Sequence, residues 1–343
     1  IMKKLLQSAV IGLACVAASA SVLADAVADF YKGKDVELYI GYKPGGGYDG
    51  YARLVARHMG KHIPGNPNIV PKNMPGAGSV KLTNWLWEGA PQDGTAIGAV
   101  SRGVPFEPLL GNKKAKFSAD QFNWAGSANN EVSICATVKS TGIKSWKDLK
   151  TREVLTGGNG SGSDTEQFPK LLNAVLDTKF KVVGPYGGGS DIVKAMIAGE
   201  LEARCGWSWS SIKSKNKDLL ESGDLVILMQ MSTVKHPELP DTPLVMDLVR
   251  SYNSKKQTQM LNLMFARQGL GRPYVAPPGV PADRAAALQA AFTATMSDPE
   301  FLADAKKGGF DLAPISGDEV AGLVNTAYQT PDSVIQEVIS AIR

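Results

Sequence analysis

Four glycine-rich stretches hold the residues of this chain best suited to chemistry: Pro44-Gly45-Gly46-Gly47, Pro75-Gly76-Ala77-Gly78, Gly157 to Ser163 (GGNGSGS) and Gly187-Gly188-Gly189. Each follows a run of β-formers and precedes apolar residues at helical spacing. A glycine turn in that setting leaves backbone N–H groups unpaired beside the positive end of a helix dipole. It attracts a carboxylate or phosphate without needing Lys or Arg. One such loop is as well explained by a tight strand-to-helix turn. Four of them, two in each half of the chain, point to a cleft that holds a small anion.

Other reactive groups are sparse. Asp49 follows the first glycine run and reads either as the N-cap of the helix containing Tyr51 to Met59 or as a carboxylate that orients a water or a ligand donor. Ser101 and Arg102 stand at the end of a strand, where Arg102 meets an acid or faces solvent. Near the loops lie Tyr48, Tyr51, Tyr186, Trp207 and Trp209, and the Trp207/Trp209 alternation with Ser208 and Ser210 gives one aromatic face and one hydroxylic face. That pattern suits core packing and a ligand wall about equally. His58 and His62 are four apart, but Met59-Gly60-Lys61 lacks the Glu of a zinc-protease helix, so a polar helix end is expected and no metal. Nucleotide-binding glycine signatures and the nucleophile elbow are absent, and no cofactor is expected. Cys135 and Cys205 both lie in apolar strand-like segments, where a disulfide and two buried thiols are equally compatible.

The elements that position these groups read as strand, glycine loop and helix, four times over. Asp35–Tyr42, Asn68–Met74, Thr95–Val100, Val132–Val138, Val154–Gly157, Lys181–Tyr186, Glu202–Trp209 and Leu225–Met231 are the expected strands. Ser163 and Glu166 have capping-box spacing, yet Pro169 places the helix start a few residues later. Ser190 is the expected N-cap of the fourth helix. Pro277 to Pro281 is a rigid connector, after which the chain reads as helices without strands, packing back on the first domain.

With 343 residues the chain fits two domains, and 43% apolar with 20% charged residues is a globular mixture. A net charge of +4, with no basic run interleaved with aromatics, argues against nucleic acid as a partner. Lys3 and Lys4, the apolar run Leu5–Ala20 and Val22-Leu23-Ala24 read as a secretory signal peptide over residues 1–24; Cys15 lacks the upstream Leu of a lipidation site. Export with cleavage after Ala24 is expected.

Three segments carry a specific resemblance: PGGGYDGYARLVARHM (44–59), NMPGAGSVKLTNWLW (73–87) with PQDGTAIGAV (91–100), and PYGGGSDIVKAMIAGELEARCG (185–206). KSWKDLK (144–150) and VAPPGVPADRAAALQAAF (275–292) extend it over nearly the whole mature chain. Together they resemble the substrate-binding proteins of tripartite tricarboxylate transporters, the Bug receptors. The resemblance implies an α/β chain of the type II periplasmic binding-protein fold, two α/β domains joined by hinge strands with a ligand cleft between them. Residues 25–126 and 231–343 would form the first domain and 127–230 the second. It also implies a carboxylate held by backbone N–H groups and ordered waters in the loops after the strands, with contacts from Pro44, Gly45, Gly46, Gly47, Tyr48 and Asp49, from Gly76, Ala77, Gly78 and Ser79, from Gly160, Ser161, Gly162, Ser163 and Thr165, and from Tyr186, Gly187, Gly188 and Gly189. Ser101 is added from its place at a strand end, and Trp207 on the ligand-wall reading of its aromatic face.

This chain has Tyr48 where many relatives have a small residue, Ser79 and Val80 where Gly is common, and Thr165 near a frequent His. The extra aromatic points to a larger or aromatic acid. The expectation is therefore a monomeric, non-enzymatic periplasmic receptor that closes on a small organic carboxylate and passes it to integral membrane permease subunits. A sensor serving a membrane histidine kinase uses the same cleft, and an enzyme relying on Asp49 is the remote rival.

Overall fold

The computed structural model describes residues 26–252 and 254–343. The expected signal peptide and Cys15 lie outside the described residues. A helical segment at 26–31 (α1) leads into β1 (Asp35–Ile40), whose alternating Val36, Leu38 and Ile40 are buried. The glycine turn then starts α2 (Gly47–Met59), which sets Tyr51, Leu54, Val55 and Met59 against the sheet. Each such fully buried aliphatic side chain contributes about 1.5–3 kcal/mol of transfer free energy. There follow β2 (Asn68–Asn73), α3 (Val80–Glu88), β3 (Ala96–Ala99) and β4 (Asn123–Ser127).

The second half repeats the scheme with β5 (Ser133–Val138), β6 (Val154–Gly157), α4 (Asp164–Leu176), β7 (Phe180–Val183), α5 (Gly189–Ile197), β8 (Ala203–Ser208), α6 (Trp209–Lys215), α7 (Lys217–Glu221) and β9 (Leu225–Met231). Helices α8 (Val245–Ser251) and α9 (Lys255–Ala266) come next, then β10 (Pro273–Ala276), α10 (Ala282–Met296), α11 (Pro299–Lys307), β11 (Ile315–Ser316), α12 (Gly317–Tyr328) and α13 (Asp332–Ile342).

Two sheets result. The first has the order β11-β4-β10-β3-β1-β2 and the second β7-β6-β8-β5-β9. In each, three parallel strands (β2, β1, β3 and β7, β6, β8) are extended by antiparallel ones. The parallel strands put all four glycine loops at their carboxyl ends, where ligand crevices form in α/β sheets. The chain crosses between the sheets at residues 128–132 and 232–272. The crossing segments bond to one another, Ala128 N–H to Arg272 O at 3.0 Å and Glu131 N–H to Gln268 O at 2.9 Å, which makes a paired hinge.

Several expectations are corrected. The region after Pro277 does contribute a strand, β11, and just before it β10 lies in the middle of the first sheet between β3 and β4. Helices α10 and α12 lie on β4 and α11 on α2, but α13 lies against α4 and α9, so not every C-terminal helix covers the first sheet. Helix α4 does start at Asp164 with Pro169 inside it. Ser163 is its N-cap residue, but its hydroxyl bonds Gly160 O at 2.7 Å instead of capping the helix. The fourth loop starts its helix two residues early, with Gly188 and not Ser190 at the cap. Strand β8 ends at Ser208, so Trp209 opens a helix and the two tryptophans do not share a strand face.

Candidate functional site

The four loops meet as two pairs across the space between the sheets, and the pairs behave differently. The second and third touch directly: Gly162 N–H donates to Ala77 O at 3.1 Å, and Ser101 Oγ–H donates to Gly162 O at 3.0 Å. Gly78 has φ +63°, and a Cβ there would lie 2.6 Å from Ser163 N and 2.7 Å from Gly162 C. Only glycine permits both that conformation and that approach. Beside this contact Arg102 Nε binds Asp164 Oδ2 at 2.6 Å, an ion pair whose side chains are 2% and 4% exposed. Residues 76–79 and 160–162, expected to contact ligand, thus form a clasp between the domains.

The first and fourth loops touch as well, but leave a cavity beside the contact. Lys43 N–H donates to Gly187 O at 3.1 Å, and next to that contact lies a cavity with about 40 Å³ accessible to the centre of a water molecule. Three helix N-termini face it: α2 through Gly46, Gly47 and Tyr48, α4 through Ser163, Asp164 and Thr165, and α5 through Gly189. Ser101 lines it as well. Their summed partial positive charge favours an anion.

Three arginines complete the wall, and they are not equivalent. Arg102 is held by Asp164, Ser208 Oγ at 3.0 Å and Ser133 Oγ at 2.7 Å. Burial opposes its charge, but Asp164 more than compensates, and its pKa is raised. Arg272 Nη2 binds Glu131 at 3.0 Å, with Ser210 and Ser211 as further acceptors. Arg204 projects from β8, 8% exposed, with its guanidinium 4.6 Å from the Trp207 ring centre. Its one hydrogen bond runs from Nη1 to Gly189 O at 3.2 Å, and its Nε has no partner. Burial pushes its pKa down to about 9, and Arg272 and Arg102 push the same way against Tyr42. It remains a cation at neutral pH, buried and without a carboxylate among the described residues.

The remaining expected residues fall outside the cavity wall. Asp49 is not an N-cap but the third residue of α2; it accepts from Gly45 N–H at 2.9 Å, Arg53 Nε at 2.9 Å and Asn73 Nδ2 at 2.9 Å. Its carboxylate fixes the first loop from behind. Pro44 O accepts from Ser190 Oγ at 3.4 Å, and Gly45 faces an outer groove that shares Arg204 with the cavity. Ser161 Oγ accepts from Asn112 at 3.1 Å, Tyr186 O accepts from Asn159 at 3.1 Å, and Gly188 caps α5. Trp207 is fully buried behind Arg204, so it backs the cavity without lining it. Tyr48 does line it, but Tyr42 stacks on its ring at 4.8 Å and the Arg272 guanidinium lies 4.5 Å from its centre, so the ring is already engaged within the protein. Arg204, Arg272 and Asp164 were missed. The usable signal for Arg204 was a guanidinium inside the otherwise apolar strand segment ARCGWS.

Away from the cleft, His58 binds Asp304 at 3.0 Å and His62 binds Asp298 at 2.7 Å. Asp298 and Glu300 give His58 two acidic neighbours, with ligand atoms within 4.8 Å of one another. Lys61 lies 2.7 Å from Asp298 and 2.6 Å from Glu300 and is their cation. Cys135 and Cys205, directly opposed on β5 and β8, are joined as a disulfide.

No protein-family model matches the sequence, and no curated protein does. Solved structures do resemble the fold. The periplasmic binding protein BugD is 18% identical, with a TM-score of 0.72 over 91% of this chain and 98% of that one. MatC of Rhodopseudomonas palustris, with bound malate, is 18% identical with a TM-score of 0.67 over 91% of this chain and 99% of that one. A further R. palustris protein, with adipate, is 18% identical with a TM-score of 0.69 over 89% and 97%. The chain shares the fold of these solved binding proteins: two α/β domains with a cleft at the carboxyl ends of their strands. Among the described residues no helix is long and apolar enough to cross a membrane.

Proposed function

We propose that this chain is a periplasmic receptor of the tripartite tricarboxylate transporter type, which binds a small organic carboxylate between its domains and delivers it to membrane permease subunits. One observation carries the reading: a buried guanidinium, Arg204, has no acidic partner among the described residues and lines a cavity that three helix N-termini face. A buried charge without a counter-charge is costly, and a ligand carboxylate removes that cost on binding. MatC with malate and the related protein with adipate bind acids in the same fold, which supports this ligand class. Asp164, the one carboxylate in the cavity wall, is tied to Arg102, so the wall offers recognition and not acid–base chemistry.

Opening about the paired hinge would separate the clasp and admit ligand; closing excludes water. Residues 25–126 and 231–343 would move against 127–230, with residues 1–24 removed on export. The protein would act as a monomer. The test is a thermal-shift screen of the mature chain against organic acids, amino acids, sugars and cations. An acid at a hundred times its Kd raises stability by about 2.7 kcal/mol. Shifts from neutral sugars or cations alone would overturn the reading.

A further inference from the structure

We infer that the ligand of this cleft carries a single negative charge; the inference rests on the reading of the cleft as an anion site. Three guanidiniums line the cavity, Arg102, Arg204 and Arg272, with one carboxylate in the wall, Asp164, and a second, Glu131, behind Arg272. Arg102 and Asp164 pair at 2.6 Å, and Arg272 and Glu131 at 3.0 Å. Arg267 binds Asp164 at 3.4 Å and Gln167 Oε1 at 2.6 Å, and Gln167 Nε2 in turn donates to Glu107 Oε1 at 2.6 Å. Arg267 and Glu107 lie outside the cavity wall, and burial raises the Glu107 pKa, so neither enters the balance of the wall itself. One positive charge is left over, and it is Arg204.

The neutral part of the wall extends the inference. Ser208 Oγ accepts from Arg102, Ser211 Oγ accepts from Arg272, and Tyr48 Oη accepts from the Arg102 N–H, so each hydroxyl keeps its own proton to donate. These donors suit hydroxyl, keto or amide oxygens on the remainder of the ligand. They do not neutralise a second carboxylate. A dianion would have to seat its second charge on the helix N-termini alone, because the other guanidiniums are already bound to Asp164 and Glu131, and partial dipole charges offset the burial of a carboxylate less than a free guanidinium does.

The test is calorimetric titration of the mature chain at neutral pH with short carboxylates in matched pairs, each monoacid beside the diacid of the same carbon skeleton, with malate and adipate among the diacids. The tightest ligand should be a monocarboxylate, with the diacid of its pair at least about tenfold weaker. A dicarboxylate as the tightest ligand would sink this inference while leaving the anion cleft standing. Binding of no carboxylate at all would remove both. Glu131→Gln leaves Arg272 without its acid and should move the ranking about tenfold toward diacids; an unchanged ranking in a folded variant also counts against the ledger. The titration of the unaltered protein decides the matter even if that variant does not fold.

Discussion

The two halves of the interdomain contact are built from the same material and do opposite things. Loops 76–79 and 160–162 press backbone on backbone, and the ion pair beside them is complete: Arg102 has Asp164. Loops 43–48 and 187–190 also touch, Lys43 N–H donating to Gly187 O at 3.1 Å, but they leave a cavity beside that contact and the arginine there is incomplete: Arg204 has one carbonyl. Glycine alone therefore does not mark a ligand site. What separates clasp from cradle is whether the protein itself satisfies the charge nearby. A satisfied pair holds the closed form, and an unsatisfied one is left for a ligand.

The largest way to break this contrast is on the clasp side. Asp164→Asn leaves Arg102 buried and Arg267 short of its acid, and losing one partner of a buried pair costs about 3–5 kcal/mol. The ligand-free protein should open, read as a larger radius of gyration in small-angle scattering and a lower Tm. An unchanged radius would mean that the pair does not hold the domains together. On the cradle side, Arg204→Gln should do the reverse to the free protein. Removing a buried, unpaired charge raises the unliganded Tm by the equivalent of about 1 kcal/mol, while affinity for the cognate acid falls about a hundredfold. If the free protein instead loses stability, Arg204 is structural and the contrast fails.

Much of the architecture was legible because local pattern and burial agree. In β1 the alternation of Val36, Leu38 and Ile40 is the alternation of buried positions, and in α2 the stripe Tyr51, Leu54, Val55 is the buried face. Strand β10 was not legible: four residues between Arg272 and Pro277 have no period to read, and its place between β3 and β4 is set by pairing with strands far away in sequence. The site divides in the same way. Glycine loops at strand ends are local features and were visible, Gly46, Gly47 and Gly189 among them. Which loop meets which depends on how two domains close, so the pairing of Gly78 with Gly162 left no trace in either segment alone. Arg204 was visible in principle, as a cation in an apolar strand. Its lack of a partner became apparent only once Asp164 and Glu131 were seen to be taken.

A smaller perturbation of the clasp is steric. Gly78→Ala adds a Cβ at φ +63° and within 2.6 Å of Ser163 N, a contact that exists only when the domains are closed. The strain of a left-handed alanine is about 1–2 kcal/mol in either state; the clash adds to it in the closed state alone. Affinity should fall about tenfold, with a smaller change in Tm than Asp164→Asn produces. Equal affinity for the variant and the parent would show that the clasp yields without consequence for binding.

The smallest expected effect lies outside the cleft and tests whether the contrast is confined to it. Asp298 is held well below the usual carboxylate range, first by the Lys61 hydrogen bond and then by His62 and the N–H groups of Phe301 and Glu300; Asp304 is lowered chiefly by His58. Both acids tie α11 to the end of α2 within the first domain. A carboxyl whose folded pKa lies below its unfolded one stabilises fully above the unfolded value, and the contribution is lost as pH falls through the folded one. Their contribution should therefore be intact at neutral pH and decline below about pH 4. Asp298→Asn keeps an N-cap for α11 while removing the charge, so Tm measured against pH should fall less steeply in acid for this variant than for the parent. Affinity for the cognate acid at neutral pH should not change, because none of these groups reaches the cavity wall. An affinity loss comparable to that of Gly78→Ala would mean that the first loop is positioned from the far end of α2, and the clasp and cradle would no longer be independent of the body of the domain.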